Sequence, residues 1–245
     1  MRNKTAESQS RKDIVLEIVV GEYIKTINPV SSGHIVRAYK IGLSPATVRN
    51  ILAELEQEGF LTHPHTSAGR VPTQTGYRYY VDHLMHEINL LKEEKARIKA
   101  EYEKEVKDLE VILEATSQIL SDVTQYTSII SVDGWGDKIF CRGTGFVVEY
   151  PETRDLQKIR DILYALEEKE RLLKIINRDL DRKIEIYIGH EIASSQIEGC
   201  SLAVSRYHFD KGPSGRIAIL GPTRMDYQRV VSTLDYVTDL MQNIF

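Results

Sequence analysis

The stretch from Gly42 to Tyr80, GLSPATVRNILAELEQEGFLTHPHTSAGRVPTQTGYRYY, leaves few ways for the chain to fold. Ser44 suits a helix N-cap, its side-chain oxygen accepting from a first-turn amide, and Pro45 suits the first helical position, where a missing N–H costs nothing. At about 100° per residue, Ser44, Val48, Ile51, Leu52 and Leu55 share one face, which is apolar beyond its first residue. Ala46, Asn50, Ala53 and Gln57 point the opposite way, with Thr47 and Arg49 on the flanks. Gly59 closes the helix as a C′ residue. Phe60-Leu61 then starts a strand, His63 to Arg70 forms a hairpin tip, and Val71 begins the return strand. The outer face of the helix is small and polar at its N-terminal end and turns acidic only further along.

Upstream, residues 1–10 read as a frayed tail. From Arg11 the spacing of Ile14, Val15, Ile18, Val19 and Tyr23 predicts a helix that Asn28-Pro29 breaks. Ser31 or Ser32 caps a shorter second helix carrying Ile35, Val36 and Tyr39, and Ile41-Gly42-Leu43 connects it to the third. Three helices with a short turn before the third make a helix-turn-helix core, and the hairpin extends it into a winged helix-turn-helix. A plain three-helix bundle with a surface loop is the bland alternative. The hairpin tip argues against it, since a structural loop has no need of two His, Thr, Ser and Arg together.

Gly76 opens a further helix that the pattern carries to about Leu120. A 4-3 spacing puts Leu84, Ile88, Leu91, Ile98, Tyr102, Leu109, Ile112 and Ile119 on one stripe, interrupted by Lys95, Glu105 and Thr116. Such a helix either pairs with a second copy, with Leu84, Ile88, Leu91, Ile98, Tyr102 and Leu109 as the dimer seam, or packs on its own C-terminal half. Beyond it, strands are expected at Ser128 to Val132, Lys138 to Cys141, Gly145 to Tyr150, Lys183 to Gly189, Ser201 to Tyr207 and Gly215 to Leu220. Helices are expected from Asp155 to Asn177, capped by Thr153, and from Asp226 to the end. The overall expectation is α+β: a winged helix-turn-helix over residues 1–82, a long linking helix over 83–122, and an antiparallel sheet with flanking helices over 123–245.

Charge is unevenly spread. The formal total is −4, yet residues 1–85 carry ten Lys and Arg against eight Asp and Glu. That excess is small, so the positions of Arg49, Arg70 and Arg78 matter more than the domain total. At 42% hydrophobic and 28% charged residues the composition is that of an ordinary soluble protein. No apolar run reaches the ~20 residues that cross a bilayer, and the polar N-terminus lacks a signal-peptide core. Cys141 and Cys200 make neither a disulfide framework nor a metal spacing, so a reducing cytoplasm is expected. Dinucleotide, Walker A and zincin motifs are missing. His63 and His65 form an H-x-H pair without a third ligand, which favours a phosphate or base contact over a metal. No cofactor, metal or catalytic site is expected, and the chain is not read as an enzyme. Gly221-Pro-Thr-Arg-Met-Asp-Tyr227 reads as a turn with Thr223 capping the last helix and Asp226 completing a capping box. A second reading uses Arg224 in an effector pocket.

The pattern points to double-stranded DNA. Arg49 and Asn50 have the chemistry for base edges, Arg for guanine and Asn for adenine. Ser44, Thr47 and the helix N-terminus suit phosphates. His65, Thr66, Ser67 and Arg70 would set the hairpin on the backbone or in the minor groove, and Arg78 would reach a phosphate. Tyr77, Tyr79 and Tyr80 are expected to pack the hairpin against the first helix.

The strings SPATVRN, GFLTHPHTSAGRVPTQTGYRYYVD and GPTRMDYQRV together resemble the bacterial heat-inducible transcription repressor family, HrcA. EATSQILSDVTQYTSII is similar to that family's entry into its second domain, and the segment from Asp155 onward to its C-terminal part. The resemblance implies a GAF-like C-terminal domain and a homodimer that represses chaperone genes at an inverted-repeat operator, with support from the chaperonin system. An alternative is a shortened regulator whose C-terminal half mainly binds a protein such as the chaperonin. Where the family carries several strands and an inserted dimerising region, this chain has only DGWGD between Val132 and Lys138. The resemblance therefore implies a truncated GAF-like sheet with an exposed edge, and a greater share of the dimer contact for the Leu84 stripe.

Overall fold

The computed structural model describes residues 2–64, 69–86, 88–102, 108–150 and 156–242. The chain divides into two units, Met1–His86 and Glu87–Phe245.

In the first unit, α1 (Arg2–Thr26) begins nine residues before the expected start, so the tail read as frayed is helical. Ser31 caps α2 (Ser32–Ala38) by accepting from the His34 amide at 3.2 Å. Ser44 caps α3 (Pro45–Gln57), whose apolar residues Val48, Ile51, Leu52 and Leu55 are all buried. Gly59 follows with φ +81, a backbone state that favours glycine. β1 (Leu61–Thr62) and β2 (Val71–Pro72) pair antiparallel, Leu61 opposite Pro72 and Thr62 opposite Val71. Thr73 caps α4 (Gln74–Tyr79), and one π-helical turn, Tyr80–Leu84, ends the unit. Tyr77 and Tyr80 are buried. The Tyr79 hydroxyl donates to Asp13 of α1 at 3.0 Å, and its ring lies 4.9 Å from Phe60. The tyrosines thus join the end of the hairpin to the first helix.

The single helix expected from Gly76 to Leu120 does not form. Met85 is extended (ψ 131), and α5 starts only at Lys92 (Lys92–Tyr102), with Glu94 accepting from the Leu91 amide at 3.1 Å. α6 (Leu109–Thr124) is capped by Asp108 and runs antiparallel to α5. Their contacts set the direction: Tyr102 meets Thr116, hydroxyl to hydroxyl, at 2.8 Å, and Arg97 meets Asp122 at 3.1 Å. The proposed seam is therefore dispersed. Leu84 is buried in the first unit and Ile98 in the second, whereas Ile88 and Leu91 lie outside any helix, Leu91 65% exposed. A 4-3 stripe does not say which core a residue serves, and here Leu84 and Ile98 serve two separate ones. α5 and α6 belong to the second unit rather than to a linker.

That unit is built on an antiparallel sheet in the order β4-β3-β7-β6-β5. Its strands are β3 (Thr127–Val132), β4 (Ile139–Arg142), β5 (Ile184–Ile188), β6 (Cys200–His208) and β7 (Ser214–Pro222). The DGWGD segment is the turn joining β3 to its neighbour β4, with Gly134 and Gly136 at positive φ. α6 and α9 (Tyr227–Met241) cover one face. The other packs against α7 (Leu156–Glu167), α8 (Lys169–Ile176) and short 3-10 segments, around Ile129, Leu202, Val204, Ala218 and Leu220.

Four local expectations fail, the first two for traceable reasons. Gly145 to Tyr150 is a 3-10 segment, Thr144–Glu149, because Gly143 at φ 78 turns the chain and its carbonyl accepts from Phe146. The helix expected from Asp155 to Asn177 is two helices. Its apolar spacing jumps from Leu166 to Leu172, and Glu168 (ψ 66) supplies the bend that lets both halves face the sheet. Leu156, expected inward, is 80% exposed. Asp226, not Thr223, caps α9, accepting from the Arg229 amide at 3.1 Å. Thr153 and Asp155, expected to start the helix that runs to Asn177, lie outside the described residues.

Gly76 is fixed by close approach: a Cβ there would run into the Phe60 carbonyl oxygen. Gly76→Ala is expected to lower stability by ~1–3 kcal/mol, the scale of overpacking. Gly21, inside α1 with open space around it, should gain ~0.5–1 kcal/mol on the same change. Thermal melts of the two full-length variants should therefore move in opposite directions.

Candidate nucleic-acid interface

The N-terminal end of α3 gathers four of the expected contact residues. Ser44 Oγ accepts from the Thr47 amide at 3.1 Å and lies 2.9 Å from Thr47 Oγ1, so two hydroxyls flank the helix start. Arg49 and Asn50 are exposed and make no hydrogen bond or ion pair with any described residue. With Ala46 beside them they form a small, polar surface over the first two turns. The amides of a helix start add partial positive charge there.

The acidic end of the helix is turned to structural use. Lys12 of α1 holds Glu54 at 3.0 Å and Glu58 at 2.6 Å. The hydrogen bond to Glu58, then the one to Glu54, raises the Lys12 ammonium above its ordinary value, against a smaller desolvation effect. Glu56 reaches the hairpin and pairs with Arg70 Nη2 at 2.7 Å and with His63 Nδ1. Burial raises the Glu56 carboxyl, but His63 and Arg70 outweigh it and hold the group below its usual range. His63 follows β1 and Arg70 precedes β2, so one carboxylate grips both arms of the hairpin at its base.

A second tie comes from the backbone. Val30 N–H donates to the Arg70 carbonyl at 2.9 Å, and Arg70 N–H donates back to Val30 at 2.8 Å. The loop before α2 thereby becomes a third partner of the return strand. Gly69 permits the approach, since a Cβ on it would come within 2.5 Å of the Val30 carbonyl carbon. Glu22 of α1 accepts from Tyr39 Oη at 2.6 Å and pairs with His34 Nε2 at 2.8 Å, fastening both ends of α2. Tyr39 and His34 lower the Glu22 carboxyl, and burial together with Glu22 pushes the Tyr39 hydroxyl up to about 12.

The expected site residues thus part company. Ser44, Thr47, Arg49 and Asn50 lie together on one helix end. Arg70 is committed to Glu56, with its side chain 23% exposed. Arg78 lies on α4 and pairs with Asp82 at 3.3 Å. His65, Thr66 and Ser67 lie outside the described residues. Glu56 and the Val30 bridge escaped the sequence reading, although an acid in the last turn of α3, just before a basic hairpin, was the available signal for the former. Among the described residues no group of three His, Cys, Asp or Glu is arranged to hold a metal, and no helix is long and apolar enough to cross a membrane.

The family model and the curated relatives point to one family. The family model for the HrcA protein C terminal domain matches residues 131–231. The heat-inducible transcription repressor HrcA of Geobacter sulfurreducens is 28% identical, over 96% of this chain and 97% of that protein. The protein of that name from Desulforudis audaxviator is also 28% identical, over 93% and 95%. The first alignment runs to 332 positions, 87 more than this chain has residues, so the relative carries material that this chain lacks. A solved structure, titled as the crystal structure of a hypothetical protein at 2.2 Å resolution, matches with a TM-score of 0.78 at 19% identity, covering 96% of this chain and 98% of that one. It shares the mixed helix-and-sheet fold.

The lowered Glu56 carboxyl carries a pH signature. Its contribution to hairpin stability is present above the ordinary carboxyl value of 4.5 and is lost as pH falls through the lower folded-state value. Glu56→Gln should therefore speed exchange of the Arg70 and Val30 amides at neutral pH, by an amount matching ~0.2–1 kcal/mol. That difference from the parent should close as the pH drops below the folded-state value. Identical exchange at neutral pH would mean that Glu56 does not hold the hairpin.

Proposed function

The chain belongs to the HrcA family of heat-inducible transcription repressors, and from that premise we propose that it represses heat-shock genes by binding operator DNA. Its first unit is read as a winged helix-turn-helix, with α3 in the major groove and the hairpin as the wing. The second is read as a GAF-like regulatory domain. The observation that carries this reading is the N-terminal end of α3: exposed, uncommitted Arg49 and Asn50 next to the Ser44 and Thr47 hydroxyls. Side chains that read bases must be free of partners in the protein, and phosphate-binding groups belong at a helix start. The ties from Glu56 and Val30 support the same reading, because a wing is useful only if its angle to the recognition helix is fixed.

Two copies acting at an inverted-repeat operator are part of the proposal, since a two-fold axis in the protein matches one in the site. Support by the chaperonin is part of it too. Arg70 takes a changed role: it positions the wing through Glu56 rather than reaching DNA freely.

Fluorescence anisotropy on an inverted-repeat duplex taken from upstream of chaperone genes, and on a scrambled duplex, tests the assignment. Asn50→Ala should lower the preference for the operator by ~1–3 kcal/mol. Arg49→Ala should weaken operator binding on the same scale. An unchanged ratio of operator to scrambled affinity in Asn50→Ala would remove α3 as the reading helix. No binding of the parent to either duplex at low salt would remove the proposal itself. Repeating the titration with added chaperonin measures that partner's contribution.

A further inference from the structure

Away from the interface, the second unit contains a charge that no described residue answers. Arg216 of β7 is only 8% exposed, and its Nε and Nη1 have no hydrogen-bond partner. It makes no ion pair with any described residue. Pairing places Ser131 of β3 directly opposite it on one side and Arg206 of β6 on the other, so all three share a sheet face. One row inward, Ile129, Ala218 and Val204 belong to the core under α7 and α8. The arginine row therefore lies where that core ends, and α8 packs on β7. Asn177, the C-cap of α8, accepts from Ser131 Oγ at 3.3 Å.

Asp133, two residues past Ser131, accepts from Ser214 at 2.6 Å, and no described carboxylate forms an ion pair with Arg216. One row outward, His208 is exposed opposite Ser214. An arginine keeps its charge in any protein environment. Like charges directly opposite on neighbouring strands repel, and a buried charge without a partner is strongly unfavourable. The C-terminal end of α8 supplies a partial negative charge at most. A water molecule could satisfy one N–H but would neutralise nothing.

We propose that Arg216 and Arg206, with Ser131 and Asn177 beside them, form a binding site for a small oxyanion, the carboxylate or phosphate of a compact ligand, at the α8 end of the sheet. Arg216 supplies the desolvated charge, and exposed Arg206 closes the site from solvent. The hydroxyl and amide provide further polar contacts on the far side. The site stands independently of the DNA reading, since no residue of the first unit takes part.

Isothermal titration calorimetry of the full chain, with chloride balancing the ionic strength, tests the site with inorganic phosphate and with succinate as probes. Saturable binding of at least one probe is expected, and which of them binds tells a phosphate-bearing ligand from a carboxylate. Arg216→Met should abolish the heat. Arg206→Gln should weaken binding by roughly tenfold or more, the scale of one lost charge-assisted hydrogen bond. Arg171→Gln, at an exposed arginine of α8, should leave it unchanged. The absence of saturation with both probes overturns the proposal, as does a titration that survives unaltered in Arg206→Gln. That variant changes an exposed side chain, so it decides the question even if Arg216→Met fails to fold.

Discussion

The loop after α1 reaches the hairpin's return strand through two backbone hydrogen bonds, between Val30 and Arg70, and most of the first unit's geometry follows from that contact. A two-residue ladder such as β1 with β2 is too short to hold its own direction in water. Adding Val30 as a third partner on the far side of β2 fixes the plane of the hairpin. The Glu56 carboxylate then fixes its angle to α3. Neither tie is strong by itself: surface ion pairs contribute ~1 kcal/mol or less, and a net hydrogen bond about as much. They work together because Gly69 and Gly76 let backbone meet backbone where any side chain would hold it off.

How much of this could be read in advance depends on how local each signal is. The cap at Ser44, the burial of Val48, Ile51, Leu52 and Leu55, and the alternation in Ile184 to Ile188 are set by a few neighbouring residues, and the sequence displays them directly. The α+β class follows from such pieces. The helix expected from Gly76 to Leu120 failed because apolar spacing does not say which core it serves. Leu84 and Ile98 lie on the same stripe but are buried in different units. The Gly145 to Tyr150 stretch has the composition of a strand, yet Gly143 in a left-handed state sends the chain into a 3-10 segment instead. In the candidate interface, residue types and the position of α3 were legible. The commitment of Arg70 to Glu56 was not, since it depends on how a hairpin folds back over a helix.

The DGWGD turn shows how a short connection is accommodated. β4 is an edge strand of four residues, and such edges invite unwanted pairing unless they are short or charged. Here they are both. Lys138 pairs with Glu110 at 2.5 Å and Arg142 with Glu114, tying the strand to α6. Lys138 also sits over the Trp135 and Phe140 rings, 5.2 and 5.7 Å from their centres. The sheet ends in a strand anchored to its own helix layer. A second copy adding its strand at this edge would have to compete with those charges. That weighs against joining two copies by sheet extension, in the very region where the family resemblance places an inserted dimerising segment.

The same small terms bear on the proposed reading of DNA by one copy of the first unit. Its formal excess is two positive charges, and its acids near α3 are already neutralised by Lys12 and Arg70. What remains is a helix start worth ~0.3–1 kcal/mol per phosphate and a pair of base contacts worth ~1–3 kcal/mol each. Summed over one half-site, this comes to ~2–7 kcal/mol, which reaches only the lower part of the ~4–10 kcal/mol that separates specific from non-specific binding in typical regulators. Two half-sites engaged together turn the second contact into an intramolecular step, for which the translational cost is already met. On the proposed reading, a second half-site carries a surface this lightly charged from the bottom of that range towards its middle, whatever holds the two copies together.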